Sequence, residues 1–109
     1  MVKKQTQMNY FWSTKENLVY LELRRYEYHV YVGVMLNKEV DFVAQKADRK
    51  IYIQVTYSMT EEATIKREYA SLEGINDHYE KIVVSLDDAK LPSNKGIKHI
   101  QACNLSEVL

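Results

Sequence analysis

The segment KEVDFVAQ, Lys38 to Gln45, followed by KIYIQVTY, Lys50 to Tyr57, decides how this chain folds. Both runs are rich in β-branched and aromatic residues, which suit the pleated, half-buried surface of a strand. Ala47, Asp48 and Arg49 form the short turn between them. In the second run Ile51, Ile53 and Val55 alternate with Tyr52, Gln54 and Thr56, so the two sets face opposite sides of a sheet. The first run carries one acidic residue, Asp41, inside an apolar stretch. Strict alternation places its side chain on one face and those of Val40 and Phe42 on the other.

Working outward, YHVYVGV (Tyr28 to Val34) predicts a preceding strand, joined to EVDFVA by a turn at Asn37 and Lys38. Before it, Phe11, Leu18, Val19, Leu21 and Leu23 recur at three- and four-residue steps without Gly or Pro, which is helical spacing. A helix is expected from about residue 14, with Ser13 as its cap and Glu16 completing a capping box. After Tyr57 the period changes again. Thr60, Glu61 and Glu62 open a second helix over Glu61 to Glu73, carried by Ala63, Ile65, Tyr69 and Leu72 and ended by Gly74. KIVVSL, Lys81 to Leu86, is a short apolar run of the kind buried on both faces, and the helix before it implies a parallel crossover. Asp87 to Gly96 is turn-rich, IKHIQAC (Ile97 to Cys103) predicts an edge strand, and Leu105 to Leu109 a terminal turn. The elements thus run α, β, β, β, α, β, with one strand more at the end. This is an α/β domain with a mixed central sheet flanked by helices.

Length and charge narrow the function. With 109 residues, 46% of them hydrophobic, the chain makes one domain with a sizeable core, spanning 1–109, of which 1–9 are expected to be flexible. Fifteen Lys and Arg balance fifteen Asp and Glu, so no net field draws in nucleic acid. The single Cys103 excludes an internal disulfide and a cysteine-built zinc cluster, and it is expected to be a small buried residue. His29, His78 and His99 lack ligand spacing. No stretch approaches the roughly 20 apolar residues of a membrane span and the start has no signal-peptide core, so the expected location is cytoplasmic.

The order of elements is that of the PD-(D/E)XK, restriction-endonuclease-like superfamily. The chain also resembles, more narrowly, the C-terminal domain of unknown function carried by a large family of prokaryotic AAA-type ATPases. The resemblance lies in ENLVYLELRR (Glu16 to Arg25), NKEVDFVA (Asn37 to Ala44), IYIQVTY (Ile51 to Tyr57), the pair Arg67 and Glu68, and GIKHI (Gly96 to Ile100). It implies a restriction-endonuclease-like αβββαβ core. The ATPase half is absent from this chain, because no GxxxxGK[ST] string cradles phosphates.

In the superfamily a strand aspartate, an acid-x-lysine on the next strand and a helix glutamate hold Mg²⁺ and activate water against phosphorus. Mg²⁺ is a hard ion that wants oxygen ligands. The resemblance places Asp41 at the aspartate, Glu16 at the helix acid, and Gln54 and Thr56 where the acid and lysine belong. Gln offers a neutral carbonyl instead of a charge, and Thr has no ammonium. The site is therefore vestigial, with Asp41 and Glu16 as the residual metal ligands. Lys66 or Arg67 on the second helix are the candidates for a relocated cation. The plainer readings stand beside these: Asp41 as a strand aspartate that is solvated or paired with lysine, and Glu16 as a capping or solvent-facing residue. Tyr20, Tyr26, Tyr28 and Tyr31, with Arg24 and Arg25, read either as a stacking surface for unpaired bases or as packing residues, the latter favoured. The expected function is a non-catalytic module contacting nucleic acid, the ATPase half of a longer parent chain, or a second copy through its edge strand. The alternatives are a surviving Mg²⁺-dependent endonuclease and a dimerisation module.

Overall fold

The computed structural model describes residues 2–5, 14–35 and 38–109, with side chains for 14–33 and 40–109. The expected caps and turns at Ser13 and Asn37 lie outside the described residues. Among the described residues the elements run β1 (Val2–Gln5), α1 (Thr14–Arg25), β2 (His29–Met35), β3 (Lys38–Lys46), β4 (Arg49–Thr56), α2 (Glu62–Glu73), β5 (Glu80–Ser85), β6 (Lys98–Gln101) and a 3₁₀ helix (Ala102–Glu107). The strands form one six-stranded sheet in sequence order. β1 to β4 pair antiparallel, and β4, β5 and β6 run parallel. The sheet is mixed, as the period changes imply, and α2 is the crossover that the parallel β4–β5 pair requires.

α1 covers one face and α2 the other. Val19, Tyr20 and Leu23 of α1 pack with Ile51, Ile53 and Val55 of β4 and with Leu105 of the 3₁₀ helix. Tyr69 and Leu72 of α2 pack with Tyr52 of β4, Val83 of β5 and Met59. The alternation read along β4 therefore holds, and its last six residues are all buried. That burial fits a strand covered on both faces, although its sequence still alternates apolar and polar. Of the four tyrosines that could have made a stacking surface, Tyr20 and Tyr28 are buried and Tyr26 and Tyr31 are partly buried against the two halves of the core, which favours their packing role. The Tyr69 hydroxyl is buried without a hydrogen-bond partner. Removing an unsatisfied buried polar atom is favourable by about 1 kcal/mol. Tyr69→Phe should accordingly raise the urea midpoint at unchanged slope, and a lowered midpoint would mean that the hydroxyl is satisfied in solution.

Three expectations need correction at the ends of the chain. Val2–Gln5 are not a flexible lead but strand β1, paired antiparallel with Tyr31 to Val34 of β2. The edge strand β6 stops at Gln101, and the residues from Ala102 wind into the 3₁₀ helix rather than a simple turn. That helix turns Cys103 outward, so the cysteine is exposed rather than buried. The segment after it is tied down by Arg49. Its guanidinium forms a two-pronged pair with Glu80 at 2.7 and 2.9 Å and reaches the Val108 and Leu109 carbonyls, while Tyr28 donates its hydroxyl to Leu109.

One local irregularity positions everything that follows. Tyr31 pairs with Val43, but Gly33 pairs with Val40, so two residues of β3, Asp41 and Phe42, stand opposite the single Val32. This is a bulge, a feature that re-aims side chains and interrupts pairing. It also breaks the alternation read from the sequence. Val40 packs on the α2 face and Phe42 on the α1 face, rather than together. Gly33 permits it, since a Cβ there would stand 2.9 Å from a methyl of Val43.

Candidate functional site

The β3–β4 ladder ends at Phe42 and Ile53, one residue short of Asp41. Backbone groups beyond that point need other partners. Side chains supply them. The Asp41 N–H donates to the Gln54 side-chain carbonyl at 2.6 Å, and the Val55 N–H donates to the Asp41 carboxylate at 2.8 Å. The two residues thus lock reciprocally across the strands where the ladder has opened. Gln54 is 6% exposed, so its amide carbonyl is committed inward.

Around this lock the structure gathers charge from both helices. Lys15, in the first turn of α1, places its ammonium 3.3 Å from the Val55 carbonyl and 5.4 Å from the centroid of the Tyr57 ring. Glu16 beside it, and Glu68 from the buried side of α2, are close enough for their charges to act on Asp41. Burial is the main influence, pushing the Asp41 carboxyl up to about 6. Glu16 and Glu68 add to the rise, and the Val55 N–H and Lys15 oppose it. Glu68 is 8% exposed, and burial raises its carboxyl too, against the smaller opposing pull of Arg67 and Lys15.

Of the residues singled out by sequence, the structure brings Asp41, Gln54 and Glu16 together. Thr56 is buried on the same strand face as Gln54, but its hydroxyl donates to the Ser58 carbonyl at 3.3 Å. Lys66 does not approach Asp41: it pairs with Glu62 at 3.5 Å on the exposed side of α2. Arg67 is exposed and acts on Glu68 only through space. The cation beside Asp41 is instead Lys15, which the sequence reading passed over. Glu68 was missed as well, although it sits three residues after Ile65 and four before Leu72, on the apolar stripe of α2. A carboxylate at that spacing was the available signal. Among the described residues, no three His, Cys, Asp or Glu gather closely enough to hold a metal ion.

A second constellation looks catalytic by inventory and is not. Ser85 lies 2.7 Å from Nε2 of His99, and Asp87 is close by. The Leu91 N–H donates to Nδ1 of the same ring at 3.2 Å. Nδ1 is therefore the acceptor and Nε2 carries the proton, so the ring has no lone pair for the serine. Burial lowers the ring's proton affinity further, and Ser85 is fully buried. The three residues fasten the Asp87–Gly96 loop onto β6. Asp87 also accepts the Met59 N–H at 2.8 Å, tying that loop to the end of β4.

Comparison with known proteins adds two findings. The family described as a domain of unknown function, DUF4143, matches residues 13–107. An uncharacterized protein of Haemophilus influenzae is 41% identical over 70 residues, which are 64% of this chain and 17% of the relative. This chain thus corresponds to a small part of that protein's length.

Proposed function

The chain belongs to the DUF4143 family, and we propose that it is a degenerate, non-catalytic module of restriction-endonuclease-like type. It would make cytoplasmic contacts for a longer, ATPase-associated parent protein. One observation carries this reading: the reciprocal lock between Asp41 and Gln54. A metal-dependent nuclease needs carboxylate oxygens turned toward a shared ion and a cation at the attacking water. Here the glutamine carbonyl and one aspartate oxygen close the sheet instead. With a neutral amide at Gln54 and no ammonium at Thr56, charge is missing where a phosphoryl transition state would gain it. The much greater length of the Haemophilus relative agrees with a module of a larger chain.

A second reading, an Mg²⁺-dependent endonuclease with a relocated lysine, has one observation in its favour, the Lys15 ammonium beside Asp41. It needs a metal centre, and the described residues offer no three-ligand cluster for one. Supercoiled plasmid and single-stranded DNA incubated with the domain and Mg²⁺ or Mn²⁺ decide between the two. The expected result is no cleavage above an Asp41→Ala control. Cleavage that disappears in the control would overturn the non-catalytic reading.

A further inference from the structure

Residues Ala102 to Leu109 lie on the α1 side of the sheet, and little holds them along their length. Most of them wind as a 3₁₀ helix, whose hydrogen bonds are less well aligned than those of an α-helix. Of their side chains Leu105 alone is fully buried. Clefts flank the segment on both sides. One of about 250 Å³ opens between it and Leu18 and Glu22 of α1, and one of about 290 Å³ between it and the loop at Ala89 to Leu91.

Its far end is held differently. The Arg49 guanidinium donates to the Val108 carbonyl through one nitrogen, and through the other to the Leu109 main-chain oxygen at 3.2 Å. The second nitrogen also donates to the Tyr28 hydroxyl at 2.9 Å, and that hydroxyl donates in turn to Leu109 at 3.2 Å. Glu80 aims the fork, because both of its carboxylate oxygens accept from Arg49, at 2.7 and 2.9 Å. A planar guanidinium held along one edge presents its remaining N–H groups in a fixed direction, which a lysine ammonium cannot do. Charge-assisted bonds of this kind are roughly twice as strong as neutral ones.

We infer that Ala102 to Leu109 is a strap that opens as a unit while the sheet stays folded, and that Arg49, aimed by Glu80, is its latch. The hinge is the end of β6 at Gln101, and Leu105 is the buried anchor between hinge and latch. Opening bares the apolar α1 side of β5 and β6, where Ile82, Val84 and Ile100 share one cluster with Leu105. The fold thus carries a covered apolar face whose exposure a single arginine governs. Arg49 opens β4, whereas Gln54 lies near the end of that strand, so the latch does not depend on how the Asp41 site is read.

Hydrogen exchange of the 109-residue chain, followed amide by amide by NMR and corrected for intrinsic rates, tests the device. The reporters are the Val108 N–H, bonded to the Leu105 carbonyl at 3.1 Å, and the Val83 N–H of β5, which has a strand on either side. Val108 should be protected, yet should exchange at least about tenfold faster than Val83. Low urea should hardly change its rate, because opening the strap exposes little surface. Arg49→Lys should speed Val108 exchange by about tenfold more and Val83 exchange by much less. Tyr28→Phe, which leaves Arg49 and Glu80 in place, should act in the same direction to a smaller degree. If the two amides exchange at one rate, or both substitutions change them in step, the segment leaves only on global unfolding and the strap is overturned. A Val108 N–H without protection, or one indifferent to Arg49→Lys, overturns the latch. Should Arg49→Lys fail to fold, the wild-type comparison and Tyr28→Phe decide by the same criteria.

Discussion

Asp41→Asn should stabilise the protein at pH 7.5 by up to about 3 kcal/mol, an unusual direction for a change at a half-buried polar position. Asparagine keeps a side-chain oxygen for the Val55 N–H and removes the charge. In the native protein the carboxyl is raised from an ordinary 3.8 to about 6, chiefly by burial. Holding it ionised at pH 7.5 therefore costs roughly two pKa units, each about 1.4 kcal/mol. As pH falls from about 6 to about 4, the native state takes up the proton before the unfolded state does. Wild-type stability from this group rises across that window, is complete below about 4, and is lost again as pH rises through 6. The variant lacks this dependence. Its advantage should be largest above pH 6 and should shrink towards zero near pH 4, as read from urea unfolding at several pH values. A variant less stable than wild type at pH 7.5 would show that Lys15 fully compensates the carboxylate, and the strain assigned to the site would be gone.

That expectation depends on features the sequence did not disclose, and the reason is specific. The order αβββαβ was legible because hydrophobic period is a property of each segment by itself: Ile51, Ile53 and Val55 face α1 wherever the neighbouring strands lie. The bulge at Asp41 is a property of two strands in register. It arises because Gly33 pairs with Val40 while Tyr31 pairs with Val43, and nothing in KEVDFVAQ alone records that offset. The same limit hid Lys15, whose importance comes from α1 delivering it to the Val55 carbonyl, 40 residues away in sequence. Glu68 was within reach, because its place on the apolar stripe of α2 is a one-segment fact. The substitutions Gln54 and Thr56 could be read directly, but the lock that Gln54 makes with the Asp41 N–H could not. A glutamine read as a lost charge proves to be a structural partner.

The lock makes Gln54→Glu the most informative change at the site. A glutamate could still accept the Asp41 N–H, but it would set a carboxylate directly against that of Asp41 and add a fourth acid to Asp41, Glu16 and Glu68. An uncompensated buried charge costs on the order of 3 kcal/mol at neutral pH. Gln54→Glu should therefore be destabilised by about that amount without metal, and the loss should diminish as pH falls and the carboxyls protonate. Under the proposed reading the variant regains a missing metal ligand. Mg²⁺ at about a hundredfold above its dissociation constant would then return roughly 2.7 kcal/mol. Thermal unfolding of both proteins, with and without 10 mM Mg²⁺, reads this directly: wild type should be nearly indifferent to the ion, and the variant should recover most of its loss. If Mg²⁺ stabilises both equally, the native site already holds metal, and the non-catalytic assignment must yield to the endonuclease. If it stabilises neither, the β3–β4 junction has lost the geometry of a metal site as well as its charges, and Gln54 is there to close the sheet.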